Sequence, residues 1–525
     1  MHRDFHLPGR SPVIAREGMA ATSHPLASLA AVEALRAGGN AADAAIAAVA
    51  VLGVVEPQMT GIGGDCFCLV SKPGAPIWGY NGSGRSGARM RLELLAGAAS
   101  VGLDSVHAVT VPGAVEAWNA ILATHGRRGL DRALLPAIHY AEAGFPVAAR
   151  VAYDWASLVE RLRGDPGAAR HFLVDGCAPQ AGEVLRFRAL AETLKTIAAE
   201  GPAAFYRGRI ARDIVATLAA RGGVLTPEDF AEHRGEEVTP ITTNYRGVDI
   251  VELPPNGQGL TALVMLNILE HFDLGKLDPL GAERFHLALE AARLAYALRD
   301  AHIADPAFMR ADVSGLLDKG FAASRAGRIH DSRRLAWANA PLIGGNTVYL
   351  SVVVRDRMAV SLINSLFSHF GVGIATETTG IMLHNRGACF VTDPEHPNAI
   401  GPRKRPMHTI IPALAMRNGR CELAFGVMGS HFQPMGHGHF LVNAIDYGMD
   451  VQAAIDFPRA FFDGERTLVE RGVPRSTIEG LEARGHEVAY TAAPWGGGQA
   501  IRIDWDRGTL TGGSDPRKDG AALGY

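Results

Sequence analysis

Thr347 occupies a position at which a chain could cut itself. It ends the segment GGNT (residues 344–347) and begins the β-branched run TVYLSVVV (residues 347–354). A threonine hydroxyl can attack the carbonyl of the preceding residue when the backbone is strained, and two glycines supply the necessary freedom. The cut would leave Thr347 an α-amine of reference pKa about 7.7–8.0, able to act as base for its own hydroxyl. The same residues also fit an ordinary glycine turn entering a strand, so the pattern alone leaves both interpretations open.

A histidine-rich segment offers a second kind of chemistry. His431, His437 and His439 lie in GSHFQPMGHGH (residues 429–439), and an HxH pair can ligate a metal ion. A metal-dependent amidohydrolase barrel would need further ligands on later strands, and fewer than ninety residues follow His439. We therefore predict no metal site and no other cofactor. The glycine-rich stretch TGIGGD (residues 60–65) lacks the spacing of phosphate-binding loops, and a tight turn is the simpler interpretation.

The composition excludes several classes of protein. With 51 Lys and Arg against 54 Asp and Glu, the formal net charge of the 525 residues is −3, so the chain has no field to attract nucleic acid. The five cysteines form no CxxC pair, which argues against a zinc ribbon. The apolar run AAIAAVAVLGVV (residues 44–55) is far shorter than the ~20 residues that span a bilayer. No secretory signal opens the sequence, and we expect a cytoplasmic protein with no nucleic-acid or membrane partner.

The elements that must position these residues change in type along the chain. Hydrophobic periodicity predicts helices over residues 26–37, 41–55, 113–124, 132–143, 185–200, 209–221, 259–272, 282–299, 435–447 and 451–456. Strands are predicted over residues 247–254, 347–354, 358–363, 409–416, 422–427 and 499–503. Residues 347–363 should form a hairpin with its turn at residues 355–357. Because helices and strands are segregated and do not alternate, we expect one α+β domain with helices on an antiparallel core.

Five ordered blocks closely resemble the γ-glutamyltransferase (glutathione hydrolase) family of N-terminal nucleophile hydrolases. They are residues 27–70, NTVYLSVVVRD (346–356), GPRKRPMHTIIPALAM (401–416), NAIDYGMDVQAAIDFPR (443–459) and the terminal GGSDPRKDGAALGY. The resemblance implies an αββα sandwich, two antiparallel sheets between helical layers. It also implies a proenzyme that cleaves itself between Asn346 and Thr347, leaving a large subunit (1–346) and a small one (347–525). These subunits would form a heterodimer, and pairing into a heterotetramer is left open.

The resemblance also implies roles for individual residues. Thr347 matches the family nucleophile, and Ser365 matches a hydroxyl that supports the new amino terminus. Gly429 and Ser430 match the pair whose backbone N–H groups form the oxyanion hole, where one donor contributes on the order of 3 kcal/mol. Arg85, in NGSGRSGA, matches the arginine that holds the substrate α-carboxylate.

The substrate-binding positions depart from the family pattern. Relatives recognise the α-amine of a γ-glutamyl group with Asn, Gln and Asp, whereas the matching positions here are Phe367, Arg386 and Cys389. No acceptor for an ammonium group remains among the three, and a cation has been added. A serine pair that contacts the substrate carboxylate becomes His408 and Thr409, which can still donate hydrogen bonds.

We therefore predict a self-processing amidohydrolase whose acyl group carries a carboxylate and lacks an α-amine. Within the family the pattern resembles oxamate amidohydrolases and cephalosporin acylases, and so points to an oxamate-like or a glutaryl substrate. Phe367 weakly favours the smaller one. One alternative is a γ-glutamyl hydrolase or transferase that acts on glutathione and γ-glutamyl amides. An alternative of another class is an unprocessed, non-catalytic scaffold.

Overall fold

The computed structural model describes residues 9–336 and 346–525. In chain order the strands are β1 (Val13–Ala15), β2 (Gly18–Thr22), β3 (Asp65–Ser71), β4 (Trp78–Asn81), β5 (Phe145–Pro146), β6 (Val184–Leu185), β7 (Glu236–Val238), β8 (Ile241–Tyr245), β9 (Val248–Glu252), β10 (Asn346–Val354), β11 (Ala359–Phe367), β12 (Ala413–Arg417), β13 (Arg420–Met428), β14 (Ala460–Asp463), β15 (Arg466–Val469), β16 (Glu487–Tyr490), β17 (Gly497–Asp504), β18 (Thr509–Ser514) and β19 (Ala521–Gly524).

The α-helices cover much of the rest of the described chain. They are α1 (Pro25–Arg36), α2 (Ala41–Val55), α3 (Ala114–His125), α4 (Leu130–Ala133), α5 (Leu135–Ala143), α6 (Ala149–Ala156), α7 (Val159–Arg163), α8 (Pro166–Phe172), α9 (Arg188–Glu200), α10 (Ala203–Tyr206), α11 (Arg209–Ala219), α12 (Pro227–Glu232), α13 (Gly259–Leu269), α14 (Ala282–His302), α15 (Val313–Leu316), α16 (Lys319–Ala326), α17 (Gln433–Leu441), α18 (Val451–Asp456) and α19 (Arg475–Glu482). Short 3₁₀ turns include Arg386–Cys389 and Ser430–Phe432, and a π turn, Val442–Asp446, follows α17.

Two seven-stranded sheets form the centre of the fold. One has the order β1-β18-β17-β13-β12-β9-β8 and the other β19-β2-β10-β11-β3-β4-β7, and the strand pairs within both are antiparallel. The sheets face each other closely: Ser351 Oγ donates to the Ala424 carbonyl at 3.1 Å. A Cβ added at Gly426 would lie 2.4 Å from the Tyr349 ring, so only glycine allows this approach. Two sheets stacked in this way bury their inner faces against each other.

Helices cover the outer faces of both sheets. Helix α2 lies against β10 and β11, and all fifteen of its residues are buried. Its start is set by a capping box in which Asn40 and Asp43 satisfy each other's backbone N–H groups. On the other sheet, α13 packs between α14 and α17. The predicted αββα sandwich is therefore confirmed.

Several element boundaries differ from the sequence prediction. The helix predicted over 132–143 is split into α4 and α5, because Pro136 belongs to the first turn of a new helix. The strand predicted over 409–416 begins only at Ala413, one residue after Pro412, which has no N–H to donate. Strand β3 was not predicted, since burial on both faces removes the alternation that marks a strand.

Two features bear on the predicted processing and location. Gly344 and Gly345 of the GGNT segment lie outside the described residues, whereas Thr347 lies in the central strand β10. None of the helices in the described ranges is long and apolar enough to cross a lipid bilayer.

Candidate active site

Thr347 and Ser365 lie side by side on adjacent central strands. In the pairing of β10 with β11, Asn346 faces Phe367 whereas Val348 faces Asn364, so β11 has a bulge at Ser365 and Leu366, opposite Thr347. Bulges re-aim a side chain and are over-represented beside active sites. Thr347 Oγ1 and Ser365 Oγ are 3.0 Å apart, and both residues are fully buried. The strand register thus brings together the two hydroxyl residues that the sequence singled out.

Arg386 places a buried cation beside this hydroxyl pair. Its Nη2 lies 3.4 Å from Ser365 Oγ, which also accepts the Phe367 N–H at 2.8 Å. The guanidinium stacks over the Phe367 ring at 4.4 Å, and its Nη1 donates to Thr409 Oγ1 at 2.7 Å. Burial lowers the pKa of Arg386, and the neighbouring Cys389 and the charge of Asp65 oppose this shift. An arginine guanidinium stays charged in proteins at neutral pH.

Gln258 connects Thr409 to the turn that carries Ser430. Its Nε2 donates to the Thr409 carbonyl at 2.8 Å and to the Ser430 carbonyl at 2.9 Å. Its Oε1 accepts from Arg299 Nη1 at 3.0 Å. Because Gln258 is fully buried and all these contacts are satisfied, it ties the Arg386 side of the site to the predicted oxyanion turn.

Gly429 and Ser430 form a turn with unusual backbone angles at the end of β13. The φ angle of Gly429 is 131° and that of Ser430 is 53°, which is uncommon for a residue other than glycine. Since Ser351 contacts Ala424 and Tyr349 contacts Gly426 across the sheets, the strand directions bring Thr347 towards the end of β13 where this turn begins. Strained backbone of this kind often occurs at functional sites.

Asp65 is a buried anion next to the same strands. It pairs with Ser365 in the register of β3 and β11, and its Oδ1 accepts the N–H groups of Gly84 and Gly113 at 3.2 and 3.0 Å. Burial alone would raise the pKa of this carboxyl, but the nearby His384, the hydrogen bond from His408 and the charge of Arg386 outweigh burial and hold the pKa below its usual range.

His408, predicted to contact the substrate carboxylate, is fully buried and pairs with Asp65. Its Nε2 lies 3.0 Å from Asp65 Oδ2, while its Nδ1 accepts the Ile410 N–H at 3.3 Å. A ring whose Nδ1 accepts must carry its proton on Nε2, so that proton is donated to Asp65. Burial lowers the pKa of His408 to about 3, which keeps the ring neutral. Both nitrogens are thus used within the protein.

Arg85, predicted to hold the substrate carboxylate, forms an ion pair with Asp305. Its Nη1 donates to Asp305 Oδ2 at 2.7 Å and to the Arg403 carbonyl at 3.2 Å. The side chain is 40% exposed and lines a separate polar cavity of about 280 Å³ that also includes Arg405.

Phe367 and Cys389, the other two substituted positions, both border Arg386. Phe367 has a φ of 75°, a strained value for an aromatic residue, and is 3% exposed. Cys389 Sγ lies 3.9 Å from Arg386 Nη1. Burial raises the pKa of the Cys389 thiol, and Arg386 opposes that shift. Neither residue brings a negative charge to the site at neutral pH, so no acceptor for an ammonium group is found at the three substituted positions.

The three histidines considered as metal ligands face different partners. Nδ1 of His431 lies 3.0 Å from Arg299, Nδ1 of His437 lies 2.7 Å from Glu252, and Nδ1 of His439 lies 3.3 Å from Arg284. They do not converge on one point that could hold an ion.

A different buried group brings potential metal ligands close together. Among the described residues, ligand atoms of His286, Glu290 and His486 lie within 4.8 Å of one another. His286 Nδ1 and His486 Nε2 are 2.8 Å apart, and His286 Nε2 donates to the His330 carbonyl at 2.7 Å. The two rings satisfy each other by hydrogen bonding, and the Arg293 cation lies 3.9 Å from Glu290. We assign no ion to this group.

Several residues of the site were missed by the sequence analysis. They are Asp65, Gln258, Arg299 and, in a role other than metal binding, His431. Asp65 was visible as the acid that ends TGIGGD, but nothing in that pattern indicates which groups its carboxylate would meet. Gln258 and Arg299 lie in segments that read as ordinary turn and helix, and only their burial makes them stand out.

Comparison with known proteins supports one family over nearly the whole chain. The family model described as gamma-glutamyltranspeptidase matches residues 27–525. A glutathione hydrolase-like proenzyme, YwrD, of Bacillus subtilis (strain 168) is 39% identical, with 98% of this chain and 99% of the relative covered. An oxamate amidohydrolase proenzyme of Klebsiella pneumoniae subsp. pneumoniae is 36% identical, with 98% and 99% covered.

A solved structure gives the same result in three dimensions. The cephalosporin acylase from Bacillus halodurans superimposes with a TM-score of 0.93 at 39% identity, covering 100% of this chain and 99% of the acylase. The sheets, the helical layers and the sequence blocks all agree with that family. The chain belongs to the gamma-glutamyltranspeptidase family and is an amidohydrolase of the N-terminal nucleophile type.

Proposed function

We propose that the chain cuts itself between Asn346 and Thr347 and that Thr347 is then the nucleophile of an amide hydrolysis. The new α-amine takes the hydroxyl proton, Thr347 Oγ1 attacks the amide carbonyl, and the amine leaves with a proton. Water then attacks the acyl-enzyme, which releases the acid and restores the hydroxyl. Ser365, 3.0 Å from Thr347 Oγ1, orients the nucleophile. The backbone N–H groups of Gly429 and Ser430 stabilise the oxyanion.

The acyl group carries a carboxylate close to the scissile bond and no α-amine. The observation that supports this most is the buried Arg386 cation, which two contacts of 3.0 and 3.4 Å join to Thr347 through Ser365. A carboxylate paired with this guanidinium must therefore lie near the carbonyl that Thr347 attacks. An oxamate-like acyl group, with its carboxylate bonded directly to that carbonyl, fits this spacing better than a glutaryl chain.

An ammonium group would be strongly disfavoured at the same position. Two like charges about 4 Å apart repel by about 4 kcal/mol at an effective dielectric of 20. Asp65, the buried anion beside β11, already accepts hydrogen bonds from two backbone amides and from His408. Each of its two oxygens thus already has a donor within the protein.

The names of the relatives point to more than one substrate. Similar identities to an oxamate amidohydrolase proenzyme and to a glutathione hydrolase-like proenzyme leave the substrate open on sequence alone. Turnover of oxamate, a glutaryl anilide and a γ-glutamyl anilide by the purified protein distinguishes the three. Oxamate should be fastest. Faster release from the γ-glutamyl anilide would replace our proposal with the glutathione-type activity.

The self-cleavage is tested by the intact mass of the wild type beside a Thr347→Ala variant. We expect two fragments that separate before Thr347 in the wild type and one uncut chain in the variant. An uncut wild type after long incubation would favour the scaffold over the enzyme. The heterodimer, its pairing into a heterotetramer and the cytoplasmic location stay predictions.

A further inference from the structure

Buried donors without partners lie around the proposed active site. Three polar atoms there have no hydrogen-bond partner within the described chain: Arg386 Nε, Ser430 Oγ and His431 Nε2. An unsatisfied buried donor costs about 1–3 kcal/mol, and a substrate that accepts from these atoms would recover that cost. Arg386 and His431 both pack against Phe367, the former over its ring at 4.4 Å and the latter edge-to-face at 6.0 Å. Two of the three unpartnered atoms thus belong to side chains that pack against one aromatic ring.

The hydrogen bonds of His431 determine which of its two ring nitrogens carries the proton. Arg299 Nη1 lies 3.0 Å from His431 Nδ1, and an arginine can only donate. Nδ1 therefore accepts, and the neutral ring carries its proton on Nε2. Burial and the charges of Arg299 and Arg386 hold the pKa of His431 well below its usual range, so the ring stays neutral. His431 Nε2 is then an N–H donor with nothing to receive it.

The backbone of His431 is held as firmly as its ring. Its carbonyl accepts from the Tyr296 hydroxyl, whose oxygen also accepts the Met435 N–H at 3.3 Å. The Arg299 guanidinium that fixes Nδ1 is anchored by Gln258 at 3.0 Å and by Asp300 at 2.6 Å. A donor fixed at both ends loses little entropy when it binds a ligand.

We infer that His431 is a specificity-determining residue whose Nε2–H binds an oxygen of the substrate's carboxylate together with Arg386. This inference rests on the proposed function and adds a residue that the sequence considered only as a metal ligand. Because every unpartnered group of the cluster can donate, the cluster selects an acyl group rich in acceptors next to the scissile carbonyl, such as the oxamyl group.

Two substitutions test the roles of the two ring nitrogens of His431 separately. In His431→Gln the side-chain amide nitrogen takes the place of Nε2, and in His431→Asn the side-chain oxygen takes the place of the accepting Nδ1. If Nε2 binds substrate, His431→Asn should raise KM for oxamate about ten- to hundredfold with a smaller change in kcat, whereas His431→Gln stays within about threefold of the wild type. If His431 acts only by anchoring Arg299, the order reverses. That reversal, or two variants that both match the wild type, would overturn the inference.

Stabilisation by the product gives a readout independent of turnover. Oxalate should raise the unfolding temperature of processed wild type and of His431→Gln but not of His431→Asn. Where His431→Asn does not accumulate as folded protein, loss of the oxalate effect in His431→Gln alone overturns the inference. If the wild type neither hydrolyses oxamate nor is stabilised by oxalate, both the proposed function and this inference are refuted. If the wild type behaves as expected and only the variants do not, the proposed function stands and the role of His431 is refuted.

Discussion

Replacing Arg386 with glutamine should remove the preference for a negatively charged acyl group. The guanidinium is fully buried and held by Thr409, Ser365 and the Phe367 ring, so it is already oriented before a substrate arrives. Removing one partner of a buried ion pair costs about 3–5 kcal/mol, and each 1.4 kcal/mol is about a factor of ten. We expect kcat/KM for oxamate to fall about 10²- to 10³-fold in Arg386→Gln.

The assay compares oxamate with oxamide, in which a neutral carboxamide of similar size replaces the carboxylate. Oxamide turnover should change little, because its neutral carboxamide forms no ion pair with Arg386. Since Arg386 also contacts Ser365, the fraction of cleaved chain is measured first and rates are expressed per processed molecule.

Arg85→Gln is the matched control for this experiment. Its guanidinium is paired with Asp305, so the ratio of oxamate to oxamide turnover should stay at the wild-type value. Equal losses for both substrates in Arg386→Gln would mean that the arginine only supports the fold. A lost ratio in Arg85→Gln would restore the role that the resemblance implied for Arg85 and refute the reasoning from the structure.

Three further predictions concern processing, pH and the sheet interface. Ser365→Ala removes the partner of Thr347 Oγ1 at 3.0 Å, so self-cleavage followed by gel should slow by tenfold or more, and unchanged cleavage would exclude Ser365 from positioning the hydroxyl. Burial raises the pKa of Glu56 to about 7, so its contribution to stability is present below about pH 4.5 and is lost as the pH rises through 7. Chemical denaturation should show this loss in the wild type and not in Glu56→Gln; parallel pH profiles would contradict it. Gly426→Ala places a methyl group 2.4 Å from the Tyr349 ring and should destabilise the protein by about 2 kcal/mol or more, whereas an unchanged denaturation midpoint would show that the sheets can separate there.

Local patterns in the sequence were sufficient for much of the fold. Helix α2 spans the predicted residues 41–55, because its Asn40 cap and uniform apolar character both act within a few residues. The hairpin of β10 and β11 also forms as predicted, with Arg357 at a positive φ of 65° in the turn. These features depend on neighbours in sequence, which a pattern can display. The family followed from the order of the blocks, which is likewise a property of the sequence.

The partners of the site residues were decided only by the tertiary structure. Arg85 and His408 have the residue types that bind a carboxylate, yet they pair with Asp305 and Asp65, which lie 220 and 343 residues away in the chain. Arg386 lies beside Ser365, the partner of Thr347, because the 3₁₀ turn Arg386–Cys389 meets the end of β11 there. A side chain's type states what it can donate or accept, whereas packing across the two sheets determines which group receives it and which donor is left for a substrate.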